Sequence, residues 1–242
     1  MSGPRVTVVT PDFCLHVLDL GADGLVPVRL VRTERVTGLL CANGRADLLD
    51  GLAAQGSRFG ATLPPPGFAE TLRDGMSRRW DGLRADEGLE AGTPATLMFS
   101  GWGKKPDYGD VAFRYTITNW EHDEDVVTDE YGVSLQFACY GGDYKHAGTS
   151  GERPYSVAIG GLGEGGERIH DKADAIARSI KRGRRADEVA LTCKAMIDTW
   201  RQVAPERCGP GVVMVNLSPD GSVEAAAIDG NGARGIQIPT FP

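Results

Sequence analysis

The sequence predicts an α+β fold in which antiparallel sheets are covered by helices, and three observations carry that expectation. Apolar alternation of period two fills the first ~45 residues, returns between 96 and 159, and closes the chain as a hairpin over 212–228. Helix-length runs with apolar steps of three and four separate these blocks, one pair over 46–83 and another over 169–203. Strands therefore come in groups, whereas a doubly wound α/β domain alternates each strand with a helix.

Each element follows from local chemistry. Val6–Thr10 and Phe13–Leu20 are β-branched, apolar runs joined by the turn residues Pro11 and Asp12, and so predict a hairpin. Val26–Val31 and Val36–Cys41 predict a second, with Asn43 and Gly44 closing the strand region. Ala46–Gln55 predicts a short helix ended by Gly56, and Pro64–Pro66 starts the next. Phe68, Leu72, Met76, Trp80 and Leu83 lie on one stripe of that second helix. Thr96–Trp102, Val111–Trp120, Val133–Tyr140 and Tyr155–Ile159 predict four more strands. Ile169, Ala173, Ile176 and Ile180 mark one later helix face; Val189, Cys193, Met196, Trp200 and Val203 mark another, with Gly183 and Pro205 as punctuation. Val212–Leu217 and Val223–Ile228 form the last hairpin around Ser218–Gly221, and the glycine-rich tail from about residue 230 is expected to be irregular.

Composition excludes several classes of function. The chain has 242 residues and is 41% hydrophobic, enough for a sizeable core, and it is read as one domain over 1–242. No apolar run approaches the ~18 residues that cross a bilayer, and the first residues lack a secretory hydrophobic region, so no membrane partner and a cytoplasmic location are expected. A formal charge of -7 argues against nucleic-acid binding. The basic cluster Lys181–Arg185 fits a solvated turn between helices better than a phosphate-binding patch. Cys14, Cys41, Cys139, Cys193 and Cys208 are odd in number and lack C-x-x-C spacing, which points to buried small hydrophobes.

Motifs for cofactor or metal chemistry are weak. Gly161–Gly166 fits G-x-G-x-x-G after a strand, with Asp187 some twenty residues later, but a dinucleotide fold needs that acid to end a parallel strand. Residues 184–203 keep a helical period, so Asp187 reads as a helix cap and no cofactor is expected. His122–Asp125 gathers one imidazole and three carboxylates without the periodicity of a calcium loop, and His16, His146 and His170 lack an H-E-x-x-H partner; no metal site is expected.

The order of elements resembles the proteasome-like branch of the N-terminal nucleophile hydrolases. The resemblance is carried by the opening hairpin through Asp19, the second hairpin ending at Gly44, the strand-turn-helix at Val157–Gly163, the helix opening at Ala186, and the last hairpin from Gly209. It implies a four-layer αββα sandwich of antiparallel sheets flanked by helix pairs. It also implies a homo-oligomer, in ring form, assembled through helix-pair faces such as that near Lys181–Arg185, and leaves open an unfoldase partner.

The family's chemistry uses the first residue as nucleophile and its own α-amine, of reference pKa ~8, as base. Here that residue is Ser2, exposed once Met1 is removed. Asp19 matches the supporting acid; Arg29 stands where active members carry lysine; and Gly161 stands where they carry serine, with Gly160 beside it in a turn lining a ligand site. A guanidinium stays protonated and cannot shuttle a proton. These departures predict a binding or assembly module without conventional threonine-peptidase chemistry; the alternative is an amidohydrolase using Ser2, with Asp19 and Arg29 as electrostatic support.

Overall fold

A computed structural model describes residues 4–20, 26–42, 46–87, 96–105, 109–120, 133–144, 155–160 and 173–241. In chain order the elements are β1 (Arg5–Val9), β2 (Cys14–Leu20), β3 (Val28–Arg32), β4 (Val36–Ala42), α1 (Ala46–Gly60), α2 (Pro65–Glu87), β5 (Thr96–Lys105), β6 (Gly109–Trp120) and β7 (Val133–Tyr144). They continue with β8 (Ser156–Gly160), α3 (Ala173–Lys181), α4 (Ala186–Val203), a 3-10 turn (Pro205–Arg207), β9 (Gly211–Leu217), β10 (Val223–Asp229), β11 (Gly232–Gly235) and β12 (Thr240–Phe241). The fold is α+β, as the blocks of periodicity predict, with two compact units: Met1–Pro27 with Tyr144–Ile238, the terminal unit, and Val28–Asp143 with Pro239–Pro242, the central unit.

In the terminal unit the sheet order is β11-β10-β9-β2-β1-β8, antiparallel between described neighbours. Thr10 makes the first hairpin: its Oγ1 accepts from Asp12 N at 3.1 Å and Phe13 N at 3.0 Å, so the turn amides lose no partner. Val6, Val8, Leu15, Val17 and Val212 face one way and pack with Ile176, Ile180, Val189, Cys193, Met196 and Trp200 of α3 and α4. That contact buries Ile176 and Ile180 of one stripe the sequence marks, whose Ile169 lies outside the described residues, and Val189, Cys193, Met196 and Trp200 of the other. Val203, placed on the same stripe by spacing, is instead 44% exposed, because it lies in the last turn before α4 ends at Ala204.

In the central unit the order is β12-β3-β4-β5-β6-β7, and α1 and α2 pack on one face. Thr33 repeats the Thr10 device, accepting from Val36 N at 3.0 Å. Phe68 of α2 stacks on Phe99 with ring centroids 4.9 Å apart, and Phe99 meets Phe113 at 4.8 Å. Glycine makes room for this row. A β-carbon at Gly38 would stand 2.7 Å from the Phe99 ring, and one at Gly60 would stand 2.5 Å from the Phe68 ring.

The same constraint corrects the expected end of α1. Gly56 does not stop the helix, which runs on to Gly60; a β-carbon at Gly56 would come 2.8 Å from Phe68, so this glycine serves close packing. The tail expected to be irregular from about residue 230 also carries two short strands. β11 pairs with β10 and β12 pairs in parallel with β3, because sheet edges supply partners that local periodicity does not reveal.

Candidate functional site

One end of the terminal unit's sheet gathers the described neighbours of the predicted site. Arg5 is the first residue of β1 to pair, opposite Leu18 on β2 and Gly160 on β8. Pro4 sits just before that ladder, where a missing amide costs nothing, and its carbonyl accepts from Asp19 N at 2.9 Å. Pro4, Asp19 and Gly160 therefore lie together. Ser2 and Gly161 lie outside the described residues, as do His122–Asp125, His146 and His170.

Asp19 extends the face of β2 that carries Leu15 and Val17 toward the helices. Its side chain is 3% exposed. Oδ2 accepts from Gly209 N at 2.6 Å, and Oδ1 stands 3.4 Å from Arg201 Nε, an ion pair without a formed hydrogen bond. Arg201 in turn donates from Nη2 to the carbonyls of Gly209 and Gly211, the latter at 3.0 Å. This guanidinium ties the end of α4 to the connection before β9. Burial pushes the Asp19 carboxyl above its ordinary value, while the Gly209 amide and the Arg201 charge pull it back. Cys208 lies in the same cluster, its thiol pushed up first by burial and then by the Asp19 charge. A thiol so raised is a poor nucleophile.

Arg29 belongs to the central unit and is buried on the α1 side of β3, sharing its face with core residue Val31. Its Nε donates to Asp50 of α1, and its Nη1 donates to the Val28 carbonyl at 2.9 Å. Asp19 and Arg29 thus fall in different units, and each is engaged by a helix of its own unit.

A buried pair and a half-buried arginine carry chemistry that the sequence does not single out. His16 and Thr7 are both fully buried and face each other across the β1–β2 ladder, with Thr7 Oγ1 3.3 Å from His16 Nδ1. Burial, and then the Arg5 charge, lower the His16 pKa to about 3, so the ring is neutral at pH 7. Arg201 is the second. No spacing rule links it to Asp19, since the contact exists only after α4 folds onto β2. Asp187, expected to cap α4, pairs with Arg185 at 2.6 Å; Glu188 accepts from Arg185 N at 3.2 Å instead. Around the turn at Gly183, Lys181, Arg182, Arg184 and Arg185 are exposed, and Arg184 is paired with Glu188 at 2.7 Å. Among the described residues, no group of three or more His, Cys, Asp or Glu is placed to hold a metal ion, and no helix is long and apolar enough to cross a membrane.

No family model matches the chain, and no curated protein matches it significantly. Solved structures do. Anbu from Hyphomicrobium sp. strain MC1, as a Gly-1 mutant, matches with a TM-score of 0.56 at 13% identity, over 94% of this chain and 88% of that one. The Anbu complex from Pseudomonas aeruginosa, described as a helical assembly, matches with a TM-score of 0.51 at 13% identity, over 93% and 87%. The chain has an Anbu-like fold. Anbu proteins are proteasome-beta-like in fold, so the likeness agrees with the proteasome-type resemblance at the level of fold. Identity this low shows fold and carries no activity with it.

Proposed function

We propose that this chain is a divergent proteasome-like protein, a single αββα domain of two sheets flanked by helix pairs, that works as a homo-oligomeric binding or assembly module without conventional threonine-peptidase activity. The observation that carries this reading is the engagement of Asp19 and Arg29. Asp19 is occupied by Gly209 and Arg201, and Arg29 by Asp50, so both charges serve the packing of helices on their own sheets. An active relative would direct such charges at the first residue's hydroxyl and amine. Homo-oligomer formation is supported by the helical assembly described for the Anbu complex. Light scattering across a concentration series tests assembly, with a constant monomer mass as the overturning result.

A second reading, amide hydrolysis by Ser2, is favoured by the meeting of Pro4, Asp19 and Gly160 at one sheet end. In that mechanism the Ser2 α-amine takes the hydroxyl proton as the Ser2 oxygen adds to the amide carbonyl, with backbone amides as oxyanion donors. The protonated α-amine gives its proton to the departing amine as the C–N bond breaks. A water deprotonated by the same α-amine then cleaves the Ser2 ester, the proton returning to the Ser2 oxygen. Intact mass is decisive between the two readings. Retained Met1 removes the Ser2 mechanism, and so does a Ser2→Ala variant whose amide-hydrolysing activity equals that of the parent.

A further inference from the structure

One oxygen of Asp19 is left without a hydrogen bond, although the side chain is only 3% exposed. Oδ2 holds Gly209 N at 2.6 Å and serves packing, whereas Oδ1 accepts no hydrogen bond among the described residues. The donors around it are committed elsewhere. Arg201 gives Nη2 to the carbonyls of Gly209 and Gly211, and its Nη1 stands 3.9 Å from Asp198 Oδ1, so that Nε passes Asp19 Oδ1 at 3.4 Å without a bond. Asp198 is itself paired with Lys194, one turn earlier on α4. The guanidinium is therefore shared between two carboxylates and bonded to neither. Cys208 feels the Asp19 charge, but a thiol is a weak donor. Arg5 faces the other side of the sheet, because it stands opposite Leu18, the residue before Asp19.

A buried carboxylate oxygen with an open lone pair calls for a cation or an N–H donor, and the chain itself brings one close. Asp19 N donates to the Pro4 carbonyl at 2.9 Å, so Pro4 lies beside Asp19 across the β1–β2 ladder. Pro4 is the first described residue, and Ser2 stands two positions before it. With Met1 removed, covalent geometry keeps the Ser2 α-nitrogen within about 7 Å of the Pro4 nitrogen, whatever the backbone angles. Other described charges near this place do not supply the missing donor. β8 and β9 carry no charged residue, His16 is neutral, and Glu206, which acts on Cys208 together with Asp19, adds negative charge.

We propose that Asp19 Oδ1 is the docking site of the chain's own α-ammonium group at Ser2, an autoinhibitory contact in which the candidate base is held protonated on a buried carboxylate. An ammonium so held cannot take the Ser2 hydroxyl proton. Arg29, a cation whose proximity would favour the neutral amine, is engaged by Asp50 in the other unit. The proposal rests on the module reading, to which it adds a reason for a silent Ser2, and on the removal of Met1.

Titration of the α-amine tests this on the full-length protein, after intact mass has shown that Ser2 comes first. Acetylation of the amino-terminal peptide by trace acetic anhydride is followed against pH, in buffer and in concentrated urea. The expected value in the folded chain lies about one pH unit above the value in urea, which is near the reference of ~8. Asp19→Asn, in a chain whose circular dichroism matches the parent, is expected to remove the difference. Arg201→Gln takes away the competing cation and is expected to raise the folded value further, and it carries the test where Asp19→Asn does not fold. Equal values in buffer and urea, or a lower value in the folded chain, overturn the docking. So does a raised value that either variant leaves unchanged. Retained Met1 overturns the docking together with the Ser2 mechanism. The module reading fails separately, on an amide hydrolysis that Ser2→Ala abolishes, so the two failures are told apart.

Discussion

The central and terminal units meet the same requirement, a sheet with a helix pair on one face, using different side chains. In the central unit the helix-covered face is organised by the row Phe68, Phe99, Phe113 and Tyr115, and glycines at 38 and 60 leave space for the rings. In the terminal unit that face is largely aliphatic around Trp200, while Arg5, His16 and Asp19 are buried within the same strands that supply its core. The first design is sensitive to volume and the second to charge. A large apolar side chain is costly to delete because a cavity remains, whereas a buried carboxylate is costly to leave without its partner and a buried imidazole is costly to protonate.

The largest effect belongs to the aromatic row. Phe99→Ala removes the ring between Phe68 and Phe113 and is expected to cost about 4 kcal/mol, equally at neutral and mildly acidic pH. Chemical denaturation measures it; a loss below about 1 kcal/mol would show that the row does not organise the core. Next is the Asp19 partner. Arg201→Ala leaves a buried carboxylate without its guanidinium and is expected to cost about 3 kcal/mol, part of which an added Asp19→Asn restores. If the double variant is no more stable than Arg201→Ala, Arg201 acts through its bonds to Gly209 and Gly211 alone.

The third effect separates the units by pH. The His16 pKa is near 3 folded against 6.5 unfolded, so below 6.5 the unfolded chain binds the proton that the folded chain refuses. Stability from this group is present above pH 6.5 and is lost as pH falls toward 3, by about 2 kcal/mol at pH 5. His16→Gln should flatten that part of the stability profile, and an unchanged slope between pH 7 and pH 5 would refute the assignment. Asp19 acts in the opposite sense: its folded pKa lies above 3.8, so ionisation costs stability as pH rises through the raised value. The smallest effect is at Gly183, whose φ of 69 and open surroundings make Gly183→Ala a pure backbone change of about 1 kcal/mol, readable in the melting temperature.

Much of this architecture is legible in the chain. Thr10–Phe13 and Thr33–Val36 close hairpins where turn chemistry predicts them, and Ile176, Val189, Cys193, Met196 and Trp200 bury the stripes their spacing predicts. Gly56 misleads, because a helix stop and a close-packing glycine are the same residue in a string of letters. The candidate site is legible only as far as its strand register: alternation places Asp19 at the end of β2, yet its partners Gly209 and Arg201 come from the far end of the sequence.

The sequence by itself determined the strand blocks, the helix stripes, the α+β class and the absence of a lysine at position 29, since each depends on residue type and short-range period. Only the tertiary structure decided that Asp19 answers to Arg201, that Arg29 answers to Asp50, and that the last residues close the edge of β3. Those contacts join residues far apart in the chain. No local propensity encodes them, because their free energy exists only once packing has excluded water and set the two partners side by side.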